Sequence, residues 1–69
     1  MHIEKFLTKR ENEIFNMLVK KLDTIEIADK LGISEKTVRN HISNVIQKLG
    51  VKGRSQAILE LIRIGELHL

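Results

Sequence analysis

Arg39, Asn40 and Ser43 fall within five consecutive positions of the chain, and their side chains suit the reading of DNA base edges. A guanidinium donates two parallel hydrogen bonds to guanine O6 and N7. A carboxamide pairs with adenine N6 and N7, and a hydroxyl bonds to either base. Groups able to hold phosphates surround them: Ser34, Lys36, Thr37, Asn44, Lys48, Lys52 and Arg54. Ser34 also marks a helix N-terminus, an end that favours an anion. Glu35 is the one carboxylate nearby and complements the helix dipole in the first turn. His41 lies at the border of the apolar stripe, where packing plus a hydrogen bond to phosphate or backbone is the expected role.

The charge distribution agrees. The net charge is +3, from 12 basic and 9 acidic residues. Lys36 to Arg54 holds five bases and no acid, while the rest of the chain holds seven bases against nine acids. A basic segment on a weakly acidic body suggests a polyanionic partner on one face. Other chemistries lack their residues. There is no cysteine, so no disulfide or cysteine-based zinc site, and His2, His41 and His68 are too scattered for a metal centre. No nucleophile–base pair, paired carboxylates or glycine-rich phosphate loop occurs, so no enzymatic activity and no cofactor are expected. Phe6 and Phe15 are the only aromatic residues, too few for the stacking platform of single-strand binders, and Phe15 is read as core. No run of about 18 apolar residues is present, and the N-terminus lacks a signal-peptide pattern, so a cytoplasmic location is expected.

Sixty-nine residues accommodate one domain, 1–69. Spacing predicts an all-α fold with helices over about 9–20, 24–31, 35–49 and 54–64. Thr8-Lys9-Arg10-Glu11 and Asp23-Thr24-Ile25-Glu26 are capping boxes that open the first two helices. Ile14, Phe15, Leu18, Val19 and Leu22 recur at the three- and four-residue spacing of a buried helical face. Ile27, Ala28 and Leu31 point the second helix inward, and Gly32 ends it. Ser34 caps the third helix after a turn of only Gly32-Ile33-Ser34. Val38, Ile42, Val45, Ile46 and Leu49 form one core stripe on that helix, with Lys36, Asn40, Ser43 and Gln47 opposite. Two capped helices with a glycine in the turn form a helix–turn–helix, which holds its second helix proud of the domain.

The fourth helix is apolar over roughly 220° of its wheel, more than one core face needs. Ala57 and Leu61 are assigned to the core. Leu59, Ile62, Arg63 and Leu67 are expected at an interface with a second copy, with Leu69 extending the apolar surface. The competing arrangement makes this helix the central, buried one. A core of this size supplies only about 3–5 kcal/mol, so a partner subunit would help to stabilise it.

Several segments together carry a resemblance: Leu7-Thr8-Lys9-Arg10-Glu11, Glu26-Ile27-Ala28, Ile33 through His41, and Lys48-Leu49-Gly50-Val51. In these the chain resembles the LuxR-type helix–turn–helix family from end to end. The resemblance implies a four-helix DNA-binding domain whose third helix reads the major groove through Arg39, Asn40 and Ser43 and whose fourth helix dimerises. Ile33 to Ala57 looks most like the small stand-alone members without a sensor domain. That likeness implies a transcription regulator of late-sporulation genes such as coat genes, acting in the mother cell, with RNA polymerase as a further candidate partner. Ile25 departs from the family, which often has Lys there, and Ser43 stands where many members carry Lys or Arg. The alternative from charge alone is a protein-interaction module that grips an acidic partner through the basic segment.

Overall fold

The computed structural model describes residues 6–68. Its helices are α1 (Lys9–Val19), α2 (Thr24–Leu31), α3 (Glu35–Leu49) and α4 (Arg54–Arg63). The sequence expectation was one residue longer at the ends of α1 and α4. There Lys20 and Ile64, with ψ of 7° and 3°, already leave helical geometry as the chain turns.

Both capping boxes form. Thr8 Oγ1 accepts from the Glu11 N–H at 3.1 Å and Glu11 Oε1 accepts from the Thr8 N–H at 2.9 Å. Asp23 and Glu26 make the same reciprocal pair at 2.8 and 3.0 Å. Gly32 and Gly50 end α2 and α3 with φ of 67° and 70°, the left-handed conformation that costs an L-residue its Cβ clearance. Each lets the following N–H reach back to the helix, Ile33 to the Ala28 carbonyl at 3.1 Å and Val51 to that of Ile46 at 3.3 Å. Lys21 takes the left-handed position after α1, with φ 68°, and the Leu22 N–H reaches the Met17 carbonyl at 3.1 Å. No glycine marks that end.

The central helix is α3, which packs against each of the other three. Its Val38, Ile42 and Val45 meet Ile14 and Phe15 of α1, Ile27 and Ala28 of α2, and Ala57 and Leu61 of α4 in one core. The alternative with α4 at the centre is thereby overturned: α4 buries only Ala57 and Leu61 and leaves Leu59 68% exposed. Phe15 is fully buried.

One correction falls on the chain end. Leu67, expected at a subunit interface, is 1% exposed and belongs to the core together with Leu7. Gly65, with φ 84°, turns the chain back after α4, so that the Glu66 and Leu67 N–H groups both donate to the Leu61 carbonyl. Glu66 Oε1 then accepts from the Leu7 N–H at 2.8 Å, tying the two ends of the described chain together. A residue folded under in this way has no surface to offer a second copy. Leu69 lies outside the described residues.

Candidate nucleic-acid interface

The exposed side of α3 collects Lys36, Asn40, Ser43, Asn44 and Gln47, with Arg39 at its edge. Helical geometry accounts for this: residues three and four apart share a face, and the buried stripe occupies the other side. Gln47 continues the row Lys36, Asn40, Ser43 by another four positions. Its carboxamide suits base reading as well as that of Asn40, although the expected base-reading set stopped at Ser43. The i, i+4, i+7, i+11 spacing was the available signal.

At the N-terminus of α3, Ser34 Oγ accepts from the Thr37 N–H at 3.0 Å, and the two hydroxyls lie 2.9 Å apart. At the other end, Lys52 and Arg54 are exposed around the turn into α4. The Lys52 N–H is held by Gln56 Oε1 at 2.8 Å, while its ammonium stays clear. Fifteen residues make α3 about 22 Å long, against a major groove about 12 Å wide. The cations of Lys36 and of Lys52 with Arg54 therefore flank a stretch long enough to cross a groove. None of these three has a carboxylate partner among the described residues.

Lys48 is the exception: of the cations expected at phosphates, it is the one paired with a carboxylate. Its ammonium donates to Glu11 Oε1 at 2.8 Å and to the Phe6 carbonyl at 3.2 Å, and lies 5.0 Å from the centre of the Phe6 ring. Lys48 projects from the flank of α3 that meets α1, where its half-exposed ammonium braces the two helices. Burial of the Glu11 carboxyl opposes ionisation. Hydrogen bonds from Lys48 and the Thr8 backbone, the Lys48 charge and the Thr8 hydroxyl outweigh that cost and hold its pKa below the ordinary glutamate value.

Glu35 has more to do than complement a dipole. Its Oε2 accepts from Thr24 Oγ1 of α2 at 2.7 Å and from Arg39 Nη2 at 2.6 Å. Thr24 is buried, so the carboxylate is anchored across the helix–turn–helix corner. His41 is half-buried, in keeping with its border position, and Asn44 is exposed. Ile25 is 66% exposed on α2, with Glu26 and Asp29 also exposed.

On α4 the exposed apolar residue is Leu59, with Ile62 half-buried three positions on. Arg63 is exposed and pairs with Glu60 of its own helix, its Nε donating to Glu60 Oε1 at 3.0 Å and its Nη2 to Oε2. Among the described residues, no helix is long and apolar enough to cross a membrane.

Comparison with known proteins places this geometry among regulators. The model of a family described as bacterial regulatory proteins, luxR family, matches residues 5–61. The spore germination protein GerE of Bacillus subtilis (strain 168) is 70% identical over 63 residues, covering 91% of this chain and 85% of GerE. The transcriptional regulatory protein DegU of Brevibacillus brevis is 44% identical over 86% of this chain, which spans only 25% of DegU. A solved structure of the transcription factor GerE superposes with a TM-score of 0.92 at 66% identity, covering 94% of this chain and 97% of that one. The response regulator ChrA of a heme-sensing two-component system superposes at 0.84 with 35% identity, covering 96% of this chain and 33% of ChrA.

Proposed function

Because the chain belongs to the luxR family of bacterial regulatory proteins, we propose that it is a sequence-specific double-stranded DNA-binding transcription regulator. It acts as a homodimer on palindromic promoter sites. The observation that carries this reading is the exposed, acid-free side of α3, where Lys36, Asn40, Ser43 and Gln47 share a row followed by Lys52 and Arg54, cations with no carboxylate partner among the described residues. Arg39, Asn40 and Ser43 face base edges in the major groove. Ser34, Lys36, Thr37, Asn44, Lys52 and Arg54 hold phosphates on either side.

Leu59 and Ile62 of α4, with Arg63 at the rim, meet the same residues of a second subunit across a two-fold axis. The exposure of Leu59, together with a core that has no disulfide to support it, favours that arrangement. The axis sets two copies of α3 one DNA turn apart, about 34–36 Å. The 70% identity to a spore germination protein supports control of late-sporulation genes in the mother-cell cytoplasm, with RNA polymerase as the partner at the promoter.

Selection of bound duplexes from a random pool tests the reading. An inverted repeat with half-sites one turn apart is the expected product. Recovery of no preferred sequence, with binding instead to acidic proteins, overturns it. Leu59→Glu places like charges across the two-fold axis. It is expected to give a folded monomer by sedimentation, with binding to the full repeat reduced to that of a half-site. A dimer that survives this substitution puts the interface elsewhere.

A further inference from the structure

We infer that Glu35 is a positioning residue for base readout: anchored by Thr24, its carboxylate orients the Arg39 guanidinium so that one edge stays free to address a base. The inference rests on the assignment of Arg39 to base reading and adds a residue that never touches DNA.

The geometry carries it. Both hydrogen bonds end on the same oxygen, Glu35 Oε2, from Thr24 Oγ1 at 2.7 Å and Arg39 Nη2 at 2.6 Å. Thr24 is 8% exposed and sits on α2, whereas the Arg39 side chain is 60% exposed on α3. A buried hydroxyl on one helix thus fixes the acceptor that steers an exposed cation on the other. A guanidinium has five N–H donors. One Nη2 hydrogen goes to Glu35, which leaves the second Nη2 hydrogen and those of Nη1 for a two-bond contact with guanine. Without Glu35 the long side chain samples many rotamers, and ordering it on the base costs entropy that pre-organisation avoids. Glu35 also neutralises Arg39 away from its site, which limits the cation's indiscriminate attraction to phosphate. An exposed i,i+4 pair adds little to folding, so its effect should register in discrimination more than in melting temperature.

The test measures the ratio of affinities for the duplex recovered by selection and a random duplex of equal length. Glu35→Ala is expected to lower that ratio about fivefold or more, the low end of what one bidentate base contact discriminates. Glu35→Gln is expected to recover most of the loss, since a single amide oxygen can accept both bonds. Thr24→Val, which frees the carboxylate from its anchor, should lower the ratio in the same direction with the fold retained. In an Arg39→Ala background, Glu35→Ala should change nothing further, because coupled residues are non-additive.

An unchanged ratio in Glu35→Ala and Thr24→Val overturns the positioning role, as does a full loss in the Arg39→Ala background. Glu35→Gln behaving no better than Glu35→Ala overturns positioning by hydrogen bond. If Arg39→Ala itself leaves the ratio intact, the assignment of Arg39 to base reading falls and the role of Glu35 falls with it. If Arg39→Ala lowers the ratio and Glu35→Ala does not, only the role of Glu35 is lost.

Discussion

Helix α3 carries a carboxylate–cation pair near each end, and the two differ in burial: Lys48 and Glu11 are 38% and 7% exposed, Arg39 and Glu35 60% and 32%. Lys48 reaches 37 residues back to Glu11, whose side chain is 7% exposed and is also the reciprocal member of the α1 capping box. Arg39 pairs with Glu35 one turn away on its own helix, and its side chain is 60% exposed. The first pair closes the domain, joining the start of α1 to the end of α3. The second leaves its cation on the side where α3 is unpartnered. Of two basic residues nine positions apart on one helix, one thus braces the fold and the other is left at the surface. What divides them is the flank of α3 from which each projects.

Removing the inner pair should have the larger effect. Glu11→Ala deletes a capping contact and the acceptor of Lys48, and is expected to cost about 2 kcal/mol of stability. For a chain of this size that lowers the melting temperature by about 10 °C, measured by circular dichroism. Glu35→Ala removes an exposed pair, which contributes little, together with the Thr24 contact, and should lower it by about 5 °C. Equal losses in the two variants would erase the distinction between the pairs.

Acid sharpens the same contrast. The folded-state pKa of Glu11 lies below its ordinary value of 4.5. Its contribution is therefore fully present above that value and is lost as pH falls through the lower folded-state pKa. Stability should decline in this acid window, and Glu11→Gln should flatten that part of the curve. A wild-type curve with the same acid slope as Glu11→Gln would remove Glu11 from the account.

Most of the fold was legible in local spacing. The capping boxes, the two helix-ending glycines of the helix–turn–helix and the three-and-four rhythm of apolar residues define α1 to α4 within a residue at each end. These are short-range rules, and the motif of α2, turn and α3 is built entirely from them. What was not legible depends on contacts between distant positions. The Lys48–Glu11 pair has no local signal, because nothing near Lys48 reveals a partner 37 residues earlier. Leu67 looked like an exposed extension of α4 because the reversal at Gly65, and the packing of Leu67 into the core that holds Leu7, appear only in three dimensions. Lys21 gave no signal for the end of α1, since a left-handed lysine is strained and uncommon. Glu35 was placed correctly at the start of its helix, but its bond to Thr24 crosses between helices and has no local signature.

The salt dependence of DNA binding counts the cations that α3 and the turn after it present to phosphates. In the proposed dimer, with Lys48 held by Glu11 and Arg39 at a base, each protomer would offer Lys36, Lys52 and Arg54 to phosphates. A dimer neutralising about six phosphates should give a log–log slope of about −5 on the selected duplex. Lys36→Ala should make the slope shallower by about 2, one cation from each protomer, whereas Lys48→Ala should leave it unchanged. A wild-type slope shallower than about −2, or a Lys48→Ala slope as reduced as that of Lys36→Ala, would contradict this division of charge along α3.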